Sequence, residues 1–272
     1  MAVITTVADI MEAMEVFAPL HLAESWDNCG LQIGSRTWSV GRIRLALDPT
    51  TEVVQAAARD KVDLIITHHP LIFHPLRSID LQTPVGRSIE TALNARTALY
   101  CAHTNLDSAR QGVNDALARA IGLKNTAPLV PADNPLDDAN AGMGRVGRLP
   151  GALTLKDLIA QIKLRLRLDY IKYAGDPELK IDQAAVCSGS GSSLIPAFLA
   201  TAAQVFISGD LRYHDARDIQ EAGRALIDIG HYHSERLILD PLAGRLQQTA
   251  DAKGWQLDIQ VCRLERDPFA VS

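Results

Sequence analysis

The chain has 272 residues, of which 47% are hydrophobic and 22% are charged, and its net charge is −5. This length and apolar content suit one large packed domain or two smaller ones. The absence of a basic surplus argues against a general phosphate-binding surface for nucleic acid, although a local basic patch stays open, and no apolar run reaches the roughly 20 residues that a membrane-spanning helix needs.

The first half of the chain predicts an α/β lobe. A helix is expected to start near Thr6 and to end at Pro19, because Thr6 and Asp9 resemble a capping box and apolar residues follow at helical spacing. The next predicted strands are 43–48, 62–67 and 98–102, and the predicted helices are 51–60, 84–95 and 113–121. Strand 62–67 becomes apolar on both faces, as a buried parallel strand does. This alternation predicts a mainly parallel sheet.

The composition changes at 125–150, where prolines, aspartates and glycines are concentrated, and this segment is the best candidate for a boundary between lobes. A second series follows, with predicted helices 155–166, 194–202, 214–222 and 234–248 and strands 170–173, 184–187, 205–208, 225–229 and 256–262. We therefore predict two α/β lobes with mixed, mainly parallel sheets. Residues 1–125 with 226–272 form the first lobe, completed by the C-terminal segment, and 126–225 form the second.

The cysteines and the N-terminus bear on the compartment. Cys29, Cys101, Cys187 and Cys262 are far apart and show no C-x-x-C spacing, which argues against a thiolate zinc site. The N-terminal residues lack the positive region, apolar stretch and cleavage site of a secretory signal, so we expect a cytoplasmic protein. Since disulfides are rare in a reducing compartment, we expect the cysteines to be small, buried or partly buried apolar residues.

Polar residues directly follow four of the predicted strands. They are 67–70 (THHP), 103–107 (HTNLD), 208–210 (SGD) and 230–235 (GHYHSE). The carboxyl ends of parallel strands share one edge of a sheet, and ligands bind there. Five of the eight histidines belong to these groups, namely His68, His69, His103, His231 and His233. This clustering favours a common site.

Each group also has a simpler interpretation. His68 and His69 could turn toward one site at the strand end, serve two different metals, or be loop histidines that share no partner. His231 and Glu235 are four residues apart at a predicted helix start, so they lie on one face as a metal-binding pair or as a local hydrogen-bonded pair. Asp107 suits either a ligand or a helix N-terminal carboxylate.

Taken together, three imidazoles and two carboxylates at one edge would be costly without a compensating positive charge. We therefore predict a metal site formed by His68, His69, Asp107, His231 and Glu235, in the first lobe. Such donors suit Zn²⁺, Mn²⁺, Fe²⁺ or Ni²⁺. A catalytic zinc usually takes three protein ligands, whereas five suit two divalent ions per chain with a bridging carboxylate. Two such ions favour hydrolysis of a phosphate ester, an amide or an amidine-like carbon.

Three other features are less specific. Residues 188–193 (SGSGSS) could present backbone N–H groups to an anion or form a tight turn, and they match neither a P-loop nor a dinucleotide fingerprint. Asp48, Asp210 and His214 could orient ligand imidazoles, move protons or have structural roles. Residues 24–30 are interpreted as a turn anchored by Trp26.

These motifs together resemble one family, the GTP cyclohydrolase I type 2 homologs, also called the NGG-interacting-factor-three-like family of dinuclear-metal hexamers. The resemblance runs from about Trp26 to Glu235 in the family's order. It rests on 26–32 (WDNCGLQ), 45–48 (LALD), 67–73 (THHPLIF), 103–107, the 188–193 loop, 208–210 with 213–215 (YHD), and 230–235.

The resemblance implies two α/β lobes, a homohexameric ring with an internal cavity, and the same five metal ligands that the spacing indicates. It also implies that Trp26, Asp27 and Asn28 belong to the surroundings of the site. The chain carries no inserted domain and resembles the family's short form.

Three functions follow as hypotheses. The first is a dinuclear metal-dependent hydrolase acting on a nucleotide or related phosphorylated small molecule, GTP cyclohydrolase-like by resemblance, with His103 and His214 as proton shuttles. The second is a non-catalytic metal-binding or regulatory ring, such as a metal chaperone or a partner-binding protein. The third, a nucleic-acid-binding ring, draws only on the implied shape, and the acidic charge argues against it. None of them involves a membrane.

Overall fold

The computed structural model describes residues 4–133 and 138–270. The helices in chain order are α1 (Val7–Phe17), α2 (Thr51–Arg59), α3 (Pro84–Ala95), α4 (Thr104–Ser108), α5 (Val113–Ile121), α6 (Leu155–Leu166), α7 (Ile195–Leu199), α8 (Tyr213–Glu221), α9 (His231–Glu235) and α10 (Leu239–Lys253). The strands are β1 (Gly30–Ile33), β2 (Arg42–Ala46), β3 (Leu64–Thr67), β4 (Ala98–Cys101), β5 (Lys124–Pro131), β6 (Gly142–Thr154), β7 (Lys172–Ala174), β8 (Lys180–Ser190), β9 (Val205–Gly209), β10 (Ala225–Asp228) and β11 (Asp258–Val261). None of the helices in these ranges combines the length and the apolar character that crossing a bilayer requires.

Two compact units divide the chain, residues 1–106 with 239–272 and residues 107–238. The first unit contains a five-stranded sheet in the order β1, β4, β3, β2, β11. The four strands β4, β3, β2 and β11 are parallel to one another, and β1 is antiparallel to β4. Helices α2 and α3 pack on one face through a cluster of apolar side chains, which includes Val54, Ile65, Ile89 and Leu99.

The second unit contains a six-stranded sheet in the order β5, β6, β8, β9, β10, β7. Strands β8, β9 and β10 are parallel, and the outer pairings are antiparallel. Alternate residues of the central strands face opposite sides, as the two-residue period of a strand requires. Ile207 packs in the cluster that includes residues of α5 and α6, and its neighbour Phe206 packs in the cluster of Phe198 and Ile219.

The predicted fold class is confirmed, because both sheets are of the mixed α/β kind and the C-terminal strand β11 completes the first sheet beside β2. The predicted start of α1 is also confirmed, since Thr6 and Asp9 form a capping box. The boundaries between the two compact units lie at 106/107 and 238/239. The domain boundaries at 125/126 and 225/226 stay a prediction about which parts fold independently.

Two segments differ from the expected local structure. Segment 125–150, the predicted boundary, contains most of β5 and much of β6, while residues 134–137 lie outside the described residues. Pro128 and Pro131 fit because β5 is an edge strand, where a missing N–H is tolerated. The predicted helix 234–248 is interrupted by a 3-10 turn at Arg236–Ile238, and Pro241 lies in the first turn of α10, where proline is accepted.

A buried arginine organises one edge of the second unit. Arg145 is 1% exposed, and its guanidinium pairs with Asp115 through distances of 2.6 Å (Nε to Oδ1) and 2.9 Å (Nη2 to Oδ2). The same guanidinium donates to the carbonyl oxygens of Gly142 and Gly144, each at 2.7 Å. These contacts fasten β6 to the first turn of α5.

We predict that Asp115→Ala lowers the free energy of unfolding by about 3–5 kcal/mol, because it leaves the Arg145 charge buried without its carboxylate. Asp182→Ala is the matched control. It removes the partner of Arg148 in an exposed pair of the same unit, and such pairs contribute about 1 kcal/mol or less. Chemical denaturation followed by circular dichroism measures both values. Equal losses for the two variants would contradict the role assigned to Arg145.

Candidate metal centre

The carboxyl edge of the first sheet collects polar side chains from three neighbouring strands. Ala46, Thr67 and Cys101 are register partners at the ends of β2, β3 and β4. Asp48, the pair His68–His69, and His103 follow these three ends directly. The parallel register therefore places the predicted donors of the first unit at one edge, as the spacing indicated.

Three imidazoles meet at this edge. One ligand nitrogen from each of His68, His69 and His103 lies within 4.8 Å of the others. The ring centroids are 5.0 Å apart for His68 and His69, 5.2 Å for His68 and His103, and 5.5 Å for His69 and His103. Rings this close together do not fit the alternative in which His68 and His69 are loop histidines that share no partner.

Each of these rings is held at Nδ1 by an oxygen acceptor. His68 Nδ1 is 3.0 Å from the Ala102 carbonyl oxygen, His69 Nδ1 is 2.8 Å from Asp48 Oδ1, and His103 Nδ1 is 3.0 Å from Asp27 Oδ1. Because carbonyl and carboxylate oxygens only accept, Nδ1 carries the hydrogen, and a neutral ring then has its lone pair on Nε2. Metal-binding histidines are typically oriented in this way.

Asp27 is the most extensively bonded of these acceptors. Besides His103, it accepts from the Thr104 backbone N–H at 3.0 Å, the Thr104 hydroxyl at 2.5 Å and the Cys29 thiol at 3.1 Å. Burial alone would raise the pKa of the Asp27 carboxyl, but the hydrogen bonds from His103 and Thr104 outweigh it and hold the pKa well below its usual range. Asp27 is therefore ionised at neutral pH.

The residue motifs alone did not identify Asp27. Segment 24–30 was interpreted as a turn anchored by Trp26, but Trp26 is 57% exposed and its ring lies beside Phe73 and His103. The available signal was the family resemblance, which placed Trp26, Asp27 and Asn28 near the site.

A carboxylate from the C-terminal segment supports Asp48. Glu265 accepts the backbone N–H groups of Leu47 at 2.9 Å and Asp48 at 2.6 Å. Burial raises the pKa of Glu265 above its ordinary value, although these two N–H groups oppose the shift. Glu265 thus fixes the backbone of the residue that orients His69, a link that sequence spacing does not reveal.

The second unit carries the other predicted ligands. His231 begins α9 just beyond β10, and its Nδ1 is 2.7 Å from Oδ2 of Asp210, the residue that follows β9. His231 Nε2 is 3.1 Å from Glu235 Oε2, and Glu235 is buried. Asp210 adopts a φ of 50°, in the left-handed region that aspartate tolerates better than most residues. His231 and Glu235 are thus paired as the four-residue spacing predicted.

Asp107 is buried, and its side chain is held by a residue of segment 188–193, the candidate anion-binding loop. Its Oδ1 accepts the Ser188 hydroxyl at 3.0 Å, while the Asn114 amide accepts the Ser188 backbone N–H at 2.9 Å and donates to the Asp107 carbonyl at 3.1 Å. The Gly189 N–H donates to the Ser234 hydroxyl at 2.8 Å. These N–H groups therefore serve internal side chains, and Ser188 to Ser190 belong to β8.

Two glycines permit close packing around the pair His231–Glu235. A Cβ at Gly189, whose φ is +62°, would lie 2.3 Å from Glu235 Oε1. A Cβ at Gly209 would lie 2.6 Å from the His231 backbone nitrogen. No larger residue fits either position without moving the carboxylate or the start of α9.

The predicted catalytic residues have different environments. His103 belongs to the imidazole cluster, whereas His214 lies on α8, is exposed, and has its ring 5.3 Å from that of Tyr213. The structure thus brings His68, His69 and His103 together in the first unit and pairs His231 with Glu235 in the second, where Asp107 is also buried. Imidazole nitrogens with oriented Nδ1–H groups and buried carboxylates fit the chemistry of a divalent metal.

Comparisons with known proteins identify the family of this chain. The family model described as Duf34/NIF3 (NGG1p interacting factor 3) matches residues 5–268. A Clostridium perfringens protein named GTP cyclohydrolase 1 type 2 homolog is 35% identical over 261 residues, which cover 96% of this chain and 97% of the relative.

Solved structures extend the comparison to the fold. A Bacillus cereus protein related to NIF3 matches with a TM-score of 0.91 and 26% identity, over 99% of this chain and 100% of the other. Reduced HcgD from Methanocaldococcus jannaschii matches with a TM-score of 0.78 and 30% identity, over 97% and 100% of the two chains. This chain therefore belongs to the Duf34/NIF3 family, as its motifs predicted.

Proposed function

We propose that this protein is a dinuclear metal-dependent hydrolase that acts on a nucleotide or a related phosphorylated small molecule. The protein ligands in this proposal are His68, His69, Asp107, His231 and Glu235, and the cofactors are two divalent ions of Zn, Mn, Fe or Ni per chain. The observation that carries it is the hydrogen bonding of the imidazoles, each of which has its Nδ1 against an oxygen acceptor.

The donor types support this proposal over a purely structural role. Structural imidazoles need no common orientation, whereas here the same ring nitrogen is engaged in every case. Asp107 and Glu235 add buried carboxylates, which are stable when a cation or strong hydrogen bonds compensate their charge. Bound divalent ions would supply Lewis-acid activation of water and stabilisation of a developing oxyanion.

His103 is suited to move a proton beside these ligands. With its Nδ1–H held by Asp27, the ring can accept a proton at Nε2, and the ionised carboxylate then stabilises the imidazolium. His214 is exposed and touches Tyr213, so it would act only on a substrate that reaches the surface of α8. We therefore assign the main proton-transfer role to His103, with His214 as a secondary candidate.

A cavity in the first unit is large enough for a small-molecule substrate. It has a volume of about 520 Å³, which is within the range of small-molecule sites. Asp48, which holds His69, lines it together with Arg263 and Arg266, and with the carboxylates of Glu52, Glu265 and Asp267. An anionic substrate would therefore depend on the bound cations as well as on the two arginines. Guanidinium groups suit phosphate oxygens. The name of the Clostridium perfringens relative, GTP cyclohydrolase 1 type 2 homolog, is consistent with a nucleotide as this substrate.

The same ligands would also serve a metal-binding or regulatory ring that performs no catalysis, so metal binding and turnover are separate questions. The homohexameric ring that the resemblance implies is compatible with both the hydrolase and the non-catalytic protein. Light scattering during size-exclusion chromatography measures the number of subunits.

We predict two equivalents of a transition metal per chain in protein purified without chelator or a metal-affinity step, measured by elemental analysis. Asp107→Ala should lower the metal content and reduce hydrolysis of the best substrate in a nucleotide panel by more than about 100-fold, since even groups that only orient ligands contribute about 10–100-fold. Asp218→Ala, at an exposed carboxylate of α8, is the matched control and should behave as the wild type.

The outcomes separate the two versions. Metal at two equivalents with no turnover of any nucleotide would support the non-catalytic ring. Equal metal content in wild type and Asp107→Ala, or equal turnover by both, would contradict the proposed centre.

A second prediction concerns the residue that orients Asp107. Ser188→Ala removes the hydroxyl that donates to Asp107 Oδ1, so metal affinity should fall about 10- to 100-fold. Ser188→Thr keeps a hydroxyl and should recover much of the affinity, and Ser193→Ala, at an exposed serine of the same segment, should have no effect. Calorimetric titration with Zn²⁺ or Mn²⁺ measures these constants. Unchanged affinity in Ser188→Ala would show that Asp107 needs no such support.

A further inference from the structure

Two thiols of the first unit face each other across neighbouring strands. Gly30 of β1 and Cys101 of β4 are register partners, and Cys29 immediately precedes Gly30. Cys29 lies just outside β1, so the alternation of strand side chains does not assign it to the face opposite Cys101. The Cys101 thiol lies within hydrogen-bonding reach of the Cys29 sulfur.

This placement also fits a disulfide by distance. From a strand spacing of about 4.8 Å and a rise of about 3.4 Å per residue, the Cα atoms of a diagonal pair lie roughly 6 Å apart. Disulfides usually join Cα atoms about 4.4–6.8 Å apart. Cys262 follows β11, three strand spacings or roughly 14 Å from β4, and therefore lies too far away to bond with Cys101.

Each thiol is one contact away from the imidazole cluster. The Cys29 thiol donates to Asp27 Oδ2 at 3.1 Å, and the other oxygen of Asp27 holds His103. The Cys101 thiol donates to the backbone carbonyl of His68 at 3.1 Å. A bond between the two sulfurs would remove both S–H donors and pull the sulfurs away from these acceptors.

We propose that Cys29 and Cys101 are a redox-active pair that a peroxide converts to a disulfide, and that the oxidised protein binds divalent metal more weakly. The formation of the disulfide depends only on the pairing of the thiols. The weaker metal binding rests on the proposed function, because it assumes that the imidazole cluster binds metal.

The reaction balances with hydrogen peroxide as the oxidant. Cys29 is partly exposed and Cys101 is buried, so Cys29 meets the peroxide first. Its deprotonated sulfur attacks one peroxide oxygen, the O–O bond breaks, and a sulfenic acid and hydroxide result; the hydroxide takes up the proton that the Cys29 thiol released and becomes water. The Cys101 sulfur then attacks the Cys29 sulfur, the S–O bond breaks, and the leaving hydroxide takes the Cys101 proton as water. Two thiols lose two electrons, and one peroxide becomes two waters.

The pair is tested by peptide mapping of the full-length protein after treatment with a few equivalents of hydrogen peroxide. We expect a peptide linking Cys29 to Cys101, lighter by two hydrogens than the separate peptides and cleaved by dithiothreitol. Cys262→Ser, which removes the other partly exposed thiol of this unit, should still form the link, and Cys29→Ser should not. Absence of the linked peptide, or equal linkage of Cys29 to Cys262, would overturn the proposal.

The consequence is tested by Zn²⁺ titration of reduced, oxidised and re-reduced protein. The oxidised form should bind about 10- to 100-fold more weakly, as expected when groups that orient metal ligands are disturbed, and dithiothreitol should restore the affinity. In Cys29→Ser, peroxide should leave the affinity unchanged. Equal affinity of the oxidised and reduced wild type would overturn the proposed effect of the disulfide on metal binding. If the reduced protein takes up no metal, the proposed function fails, while the mapping result still decides whether the thiols pair.

Discussion

Hydrogen bonding at Nδ1 fixes the direction of four imidazole rings, and the chemistry of the site depends on that constraint. An imidazole that is free to turn can present either nitrogen to solvent, and its tautomers interconvert. Here a carbonyl oxygen holds His68, and carboxylates hold His69, His103 and His231. In His68, His69 and His103 the hydrogen is thereby kept on Nδ1, and Nε2 becomes the nitrogen that can bind a cation or accept a proton. In His231 the corresponding Nε2 lies 3.1 Å from Glu235 Oε2.

The backbone supplies this constraint through register. In the first unit, the ends of β2, β3 and β4 are level, so Asp48 and His69 meet although 21 residues separate them. In the second unit, β9 and β10 end side by side, which brings Asp210 to His231. The side chains therefore do not have to extend far to meet, and ordering them costs little side-chain conformational entropy.

Much of this arrangement was predictable because it follows local periodicity. Capping at Thr6, the buried character of β3 and the position of histidines after strand ends are all properties of short segments. The four-residue spacing of His231 and Glu235 likewise fixes a shared helix face, and the pair is in contact. Element type and the edge that carries the donors are therefore recoverable from sequence.

The supporting residues were not predictable, because their partners are distant in sequence and chemically ordinary. Ser188 meets Asp107 across 81 positions, and Glu265 reaches Asp48 across 217. Nothing in a serine or glutamate at those positions indicates a partner until the sheets are assembled. The strands within 125–150 were not predictable for a related reason, since a proline is tolerated in a strand only where that strand lies at an edge of its sheet, begins there or bulges.

The balance of charge limits what these donor sets can bind. In the first unit, the carboxylates of Asp27 and Asp48 contact Nδ1 of His103 and His69. Their negative charge therefore lies beside each ring at Nδ1 and not at Nε2. In the second unit, the carboxylates of Asp107 and Glu235 are themselves buried. A neutral ligand would compensate neither set, and an anionic ligand would add to the repulsion. A cation with charge above one suits both, and an anionic phosphate compound would be attracted only after that cation has bound.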